Sequence, residues 1–117
     1  MQAQTSLSAQ WHDVCSVDDL VTNSGVCALI DGTQVAIFSV QMDGETNVYA
    51  ISNWDPIGEA NVLYRGIVGT LTDKIVVASP LYKEHYDLDT GKCLEREDVS
   101  VSTYPVRVDQ DRVFVEL

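Results

Sequence analysis

Positive charge is scarce in this chain. Seven Lys and Arg stand against 18 Asp and Glu over 117 residues, a formal net charge of −11, and the first basic residue is Arg65. A field of that sign repels phosphate backbones and anionic lipid headgroups, so it argues against nucleic acid and membrane surfaces as partners. Long apolar runs are missing as well. The longest, Val26–Ile30, is far too short to span a bilayer. Cysteines number three, Cys15, Cys27 and Cys93, an odd count with no close pair. That is no disulfide framework, and it fits a reducing compartment. Histidines number two, His12 and His85, far apart in sequence. There is no CxxC, HxxxH or HExxH metal pattern, no GxSxG nucleophile elbow and no Gly-rich phosphate loop. Asp87-Leu88-Asp89-Thr90-Gly91 is a poor calcium loop, since its glycine comes one place early and the closing Glu is absent. No stretch carries a long helical period.

What is present reads as a series of short strands. Met1–Gln10 has neither a basic n-region nor an apolar core, so it is no signal peptide, and it is expected to be a disordered tail before one domain over 11–117. Trp11–Cys15 alternates like a first strand. Ser16 with Asp18 and Asp19 predicts a single capped helical turn. Gly25–Ile30 and Gln34–Val40 flank Asp31-Gly32, a tight-hairpin signal because both central residues of such a turn need positive φ. A second Asp-Gly, Asp43-Gly44, precedes a strand at Asn47–Ile51. Ser52–Arg65 reads as a loop. Gly66–Leu71 and Lys74–Ala78 form a hairpin across Thr72-Asp73. Ser100–Val108 reads as a strand that Pro105 confines to an edge or ends, and Arg112–Leu117 closes the chain with Val113, Val115 and Leu117 on one face. The expected architecture is all-β, an antiparallel sandwich or small barrel of short strands.

Two loops carry the most specific signal. The second, Ala78-Ser79-Pro80-Leu81-Tyr82 followed by His85-Tyr86-Asp87-Leu88 and Thr90-Gly91-Lys92-Cys93, resembles the second ligand loop of Rieske-type iron–sulfur domains, where the pattern is C-P-x-H, an aromatic, D-L-x-T-G and C. The first, Ile51-Ser52-Asn53-Trp54-Asp55-Pro56-Ile57-Gly58, with Leu63 and Gly66 after it, resembles the C-x-H loop. The scaffold is present and the ligands are not. By this resemblance Asp55, Ile57, Ser79 and Tyr82 stand at the four lost ligand positions. None offers a thiolate or an imidazole, which a Rieske centre needs. Cys93 sits where such scaffolds often carry a cysteine without catalytic duty, and a buried small hydrophobe is the expected reading. Asp87 and Asp89 read as turn caps, not as an acid–base pair.

Together with Val26-Cys27-Ala28-Leu29, Gln34–Phe38, Ala50–Pro56 and Val62–Gly66, these pieces make the chain similar to the small subunits of assimilatory NAD(P)H-dependent nitrite reductases. That resemblance implies a cytoplasmic partner, a large subunit carrying FAD, an iron–sulfur cluster and sirohaem, which reduces nitrite to ammonium with NAD(P)H. It implies that this chain brings no cofactor or catalytic residue of its own and supports the large subunit. The rival reading is a Rieske-type ferredoxin-like electron-transfer protein, or an accessory binding domain of another reductase or oxygenase. The loop tip is expected to meet the partner through Trp54, Pro56, Ile57, Leu81 and Tyr82, since strand packing explains apolar side chains in loops poorly. Ile57 and Tyr82 are also expected to fill the space a cluster would take.

Overall fold

The structure, a computed structural model, describes residues 10–117. The tail expected over Met1–Gln10 lies outside the described residues except for Gln10, whose backbone exchanges hydrogen bonds of 2.9 and 3.0 Å with Leu117. The described chain is all strand and turn. The strands are β1 Trp11–Ser16, β2 Ser24–Ile30, β3 Thr33–Met42, β4 Glu45–Ser52, β5 Trp54–Asp55, β6 Ala60–Asn61, β7 Ile67–Leu71, β8 Lys74–Ala78, β9 His85–Asp87, β10 Thr103–Tyr104, β11 Val106–Asp109 and β12 Arg112–Glu116. Two 3-10 turns, Val17–Asp19 and Leu63–Arg65, interrupt them. The first has the cap foreseen from sequence, with the Ser16 hydroxyl accepting from the Asp18 N–H and the Asp19 carboxylate accepting from the Ser16 N–H.

The strands pair antiparallel in four small sheets, ordered β10-β4-β3-β2, β1-β12-β11, β7-β8-β9 and β5-β6. The hairpin turns hold residues in the left-handed region: Asp31 and Gly32 at φ 48 and 81, Asp43 and Gly44 at 52 and 80, Thr72 and Asp73 at 45 and 65. That is the twist that matches tightly paired strands.

β3 explains how one chain this size builds two cores. Val35 to Val40 are buried without a break. A strand points successive side chains to opposite faces, so this run serves both sides. Val35 and Ile37 enter a cluster with Ile30, Ala50 and Val115; Ala36, Phe38 and Val40 enter another with Ile51, Leu63, Val77, Tyr86 and Leu88. The second cluster lies beneath the two loops of interest. Each loop is thereby anchored on a packed base.

One expectation needs correction. Ser52–Arg65 is not plain loop: it holds the short β5–β6 pair and the Leu63–Arg65 turn. Its organiser is Asn53, fully buried, whose amide donates to Gln34 Oε1 at 3.0 Å and accepts from the Tyr64 N–H at 2.8 Å. In Ser100–Val108 a strand ends at Pro105, one of the two outcomes the sequence allowed. Pro105 lacks the N–H a ladder needs, and the chain changes sheet there: β10 pairs with β4, and β11 with β12.

Candidate functional site

The site is built where the two loops meet. Asp55 ends β5 and is 1% exposed; Ser79 follows β8 and is also 1% exposed. The Ser79 hydroxyl donates directly to Asp55 Oδ2. The other oxygen, Oδ1, accepts from the Ile57 N–H at 2.9 Å, the Gly58 N–H at 3.1 Å and the Tyr86 hydroxyl at 3.1 Å. Tyr86 comes from β9 and is completely buried. A single carboxylate thus ties together its own loop, the second loop and the strand that follows. Buried charges persist only when they are hydrogen-bonded in this way.

The local sequence dictates the arrangement. Asp, Pro, then a free N–H two and three residues on is the pattern of a side-chain-closed turn. Gly58 leaves room for Leu81 and the carboxylate: a Cβ there would lie 2.4 Å from Leu81 Cδ1, which would have to shift, and 3.0 Å from Asp55 Oδ2. Ser79 closes its own loop too: its oxygen accepts from the Leu81 N–H at 3.2 Å, and its carbonyl accepts from the Lys83 N–H at 3.1 Å. Gly91, at φ +81, permits the next turn, where a Cβ would strike the Val101 carbonyl at 2.1 Å. There the Asp87 carboxylate accepts from the Asp89 and Thr90 N–H groups, a turn cap as the sequence indicated.

Burial by itself raises the Asp55 pKa, but the hydrogen bonds from Ser79, Gly58, Ile57 and Tyr86 outweigh it and hold the carboxyl below its ordinary value. Tyr86 is pushed up, first by burial and then by the Asp55 charge, so its hydroxyl stays protonated and donates. A depressed carboxylate contributes stability that is present above its unfolded pKa and lost as pH falls through the folded one. The stability gap between wild type and Asp55→Asn is therefore expected to be widest above about pH 4, the ordinary carboxylate range, and to shrink below it. Urea unfolding across acid pH measures this; a gap that stays constant into strong acid contradicts it.

The structure brings Asp55 and Ser79 together and separates the other two positions. Ile57 is half-buried and packs on the core cluster under the loops. Tyr82 is 64% exposed and fills nothing, contrary to expectation. Its place as filler goes in part to Leu81, which lies over Gly58. Trp54 and Leu81 are 44% and 45% exposed, and Pro56 is half-buried. So the tip shows an indole, an isobutyl and a phenol to solvent.

These residues do not fit a two-iron cluster. The donors that meet are a carboxylate and a hydroxyl already bonded to each other, Ile57 has no donor, and Tyr82 is exposed to solvent. Such clusters are held by thiolates and imidazoles. Among the described residues no group of three His, Cys, Asp or Glu is placed to hold a metal ion. The thiols are elsewhere: Cys93 is buried in the core, while Cys15 and Cys27 line a groove of about 490 Å³ between β1 and β2. Burial raises the pKa of all three, which disfavours their thiolate forms. His85 is half-buried and bound by Glu95, through Nδ1 at 2.6 Å and its backbone N–H at 2.8 Å. His12 faces Asp31 at 3.7 Å. Neither histidine touches the Asp55 network. Sequence reasoning missed that network itself, together with Asn53 and the Tyr86 hydroxyl; its one signal was an Asp placed two residues before a free N–H.

Comparison with known proteins bears on this geometry. Residues 10–116 match the Rieske-like [2Fe-2S] domain family. The small subunit of a nitrite reductase (NADH) from Salmonella typhimurium is 45% identical over 100 residues, covering 86% of this chain and 91% of that protein. The NMR structure of the Escherichia coli protein NirD superposes with a TM-score of 0.82 at 41% identity, covering 93% of this chain and 97% of that one. A nitrite reductase [NAD(P)H] large subunit from Klebsiella oxytoca is 34% identical over 108 residues, which span 92% of this chain but only 11% of that protein.

Proposed function

This chain belongs to the Rieske-like [2Fe-2S] domain family and, within it, to the nitrite reductase small subunits, and we propose that it serves as the non-catalytic subunit beside a large subunit that reduces nitrite to ammonium with NAD(P)H. The observation that carries the division of labour is the contact of Asp55 with Ser79. Two loops that hold a redox centre in Rieske domains are here held by a carboxylate and its donors. The contribution left to such a domain is structural: it docks on and stabilises the large subunit, where FAD, an iron–sulfur cluster and sirohaem do the electron transfer. The Klebsiella oxytoca relative supports the pairing, since a stretch like this chain is there part of a large subunit. Two units joined in one chain work at high effective concentration of one another. No helix among the described residues is long and apolar enough to cross a membrane, and a cytoplasmic enzyme with a single small-subunit domain over 11–117 is the assembly we propose.

The docking face in this reading is the loop tip. Trp54, Leu81 and Tyr82 are exposed there, beside half-buried Pro56 and Ile57. Aromatic side chains at an interface centre commonly dominate binding.

The test of the cluster-free role is direct. Incubation of the chain with iron, sulfide and thiol under anaerobic conditions, followed by desalting, is expected to leave no bound iron and no visible absorbance band. Stoichiometric iron and sulfide with a charge-transfer spectrum would return the chain to the electron carriers.

A further inference from the structure

We propose that the groove between the β7 edge and the 79–83 loop is the seat for a segment of the large subunit that presents carboxylates beside apolar side chains. This rests on the partner reading above and names the chemistry of its contact.

The groove has a volume of about 410 Å³ and is lined chiefly by Arg65, Ile67, Ala78, Pro80, Lys83 and His85. Its floor and wall are apolar. Ile67 is 78% exposed, more than any other large hydrophobic residue among those described, although it sits in a paired strand opposite Ala78. β7 is also the edge of its sheet. An exposed, apolar edge strand is a hazard for a free protein, and natural chains cover or charge such edges. Here the charges are positive. Arg65 and Lys83 stand at the groove, and among the described residues neither has an ion-pair partner, whereas Lys74 is paired with Asp87 and Arg112 with Asp13. His85 is already engaged by Glu95 through Nδ1.

Charge complementarity identifies the occupant. The chain carries a net −11 and only 7 basic residues, yet two of them frame its most exposed isoleucine. An anionic segment gains attraction here from two cations without ion-pair partners set beside exposed apolar surface. A nucleic acid is disfavoured by the field around the groove, and a second copy of this chain brings another −11 with it. A segment of the reductase partner, acidic at its flanks and apolar at its centre, satisfies both Ile67 and the two cations. The groove adjoins the tip, because Pro80 and Lys83 flank Leu81 and Tyr82 in the same loop, so one partner can cover both.

The experiment is titration of the purified large subunit with this chain, wild type and variants, at low and at physiological salt. The double variant Arg65→Glu/Lys83→Glu is expected to bind at least tenfold more weakly and to lose most of the salt dependence of wild type. Ile67→Ser is expected to weaken binding severalfold with unchanged thermal unfolding of the free chain, since the side chain packs little. Lys92→Glu, which changes charge outside the groove lining, is expected to bind as wild type. Unchanged affinity in the double variant with wild type binding normally overturns the seat alone. An equal loss in Lys92→Glu overturns it too, because the effect is then one of net charge. No association of wild type overturns the partner reading and the seat with it. Sedimentation of the free chain completes the test: a dimer that dissolves in the double variant assigns the groove to a second copy and contradicts the proposal.

Discussion

Asp55→Ala is expected to lower the stability of the free chain by about 3 kcal/mol, the range found when one partner of a buried charged network is removed. Four donors lose their acceptor in that variant: the Ser79 and Tyr86 hydroxyls and the Ile57 and Gly58 N–H groups. Ser79 is 1% exposed and Tyr86 fully buried, so water does not readily replace the carboxylate. For a chain near this size the shift in Tm is on the order of 10 °C. Asp55→Asn keeps the shape and one acceptor oxygen and is expected to cost less, about 1–2 kcal/mol. Ser79→Ala and Tyr86→Phe each remove a single donor and are expected to cost less still. Thermal and urea unfolding of the four variants orders them. A loss for Asp55→Ala within about 0.5 kcal/mol, the range of ordinary surface substitutions, would mean that the two loops are held by packing alone.

Trp54→Ala is expected to leave the free chain folded and to weaken its association with the large subunit by about 2 kcal/mol, the threshold of a binding hot spot. The indole is 44% exposed, and its backbone N–H is bonded to Ser52 Oγ at 3.2 Å, an interaction alanine retains. The β5–β6 pairing of Trp54 with Asn61 is likewise a backbone matter. A loss of free-chain stability above about 2 kcal/mol without loss of affinity would make Trp54 a core residue and place the docking face elsewhere.

Much of this fold is legible in the sequence, because its local signals agree with its tertiary structure. Asp31-Gly32, Asp43-Gly44 and Thr72-Asp73 each mark a hairpin tip, and each is in the left-handed region. Ser16 marks a cap that forms. What is not legible depends on partners distant in sequence. Pro105 marks where the strand in Ser100–Val108 can end, but nothing local says that the chain leaves β4 for β12 there. Asn53 looks like an ordinary loop residue until β3 supplies Gln34. The candidate site shows the same division. The motif spacing locates Asp55 and Ser79 as equivalent positions in two loops, but their mutual hydrogen bond is a fact of the fold. Tyr82 misleads for a physical reason: it is large enough to fill a void, yet Leu81 and the Asp55 network have already closed the space. The excess of acid residues hides the groove as well. Its two cations, Arg65 and Lys83, lie 18 residues apart in sequence and come together only because β7 and β8 form a hairpin.

In the role proposed above, this chain completes a reductase without bringing a redox centre to it. Iron content measured on the large subunit alone, and again on its purified complex with this chain, tests that most directly. The same iron per large subunit is expected in both, with the complex more resistant to heat and higher in NAD(P)H-dependent nitrite reduction. A gain of two iron atoms for each copy of this chain, the content of a [2Fe-2S] centre, would contradict it.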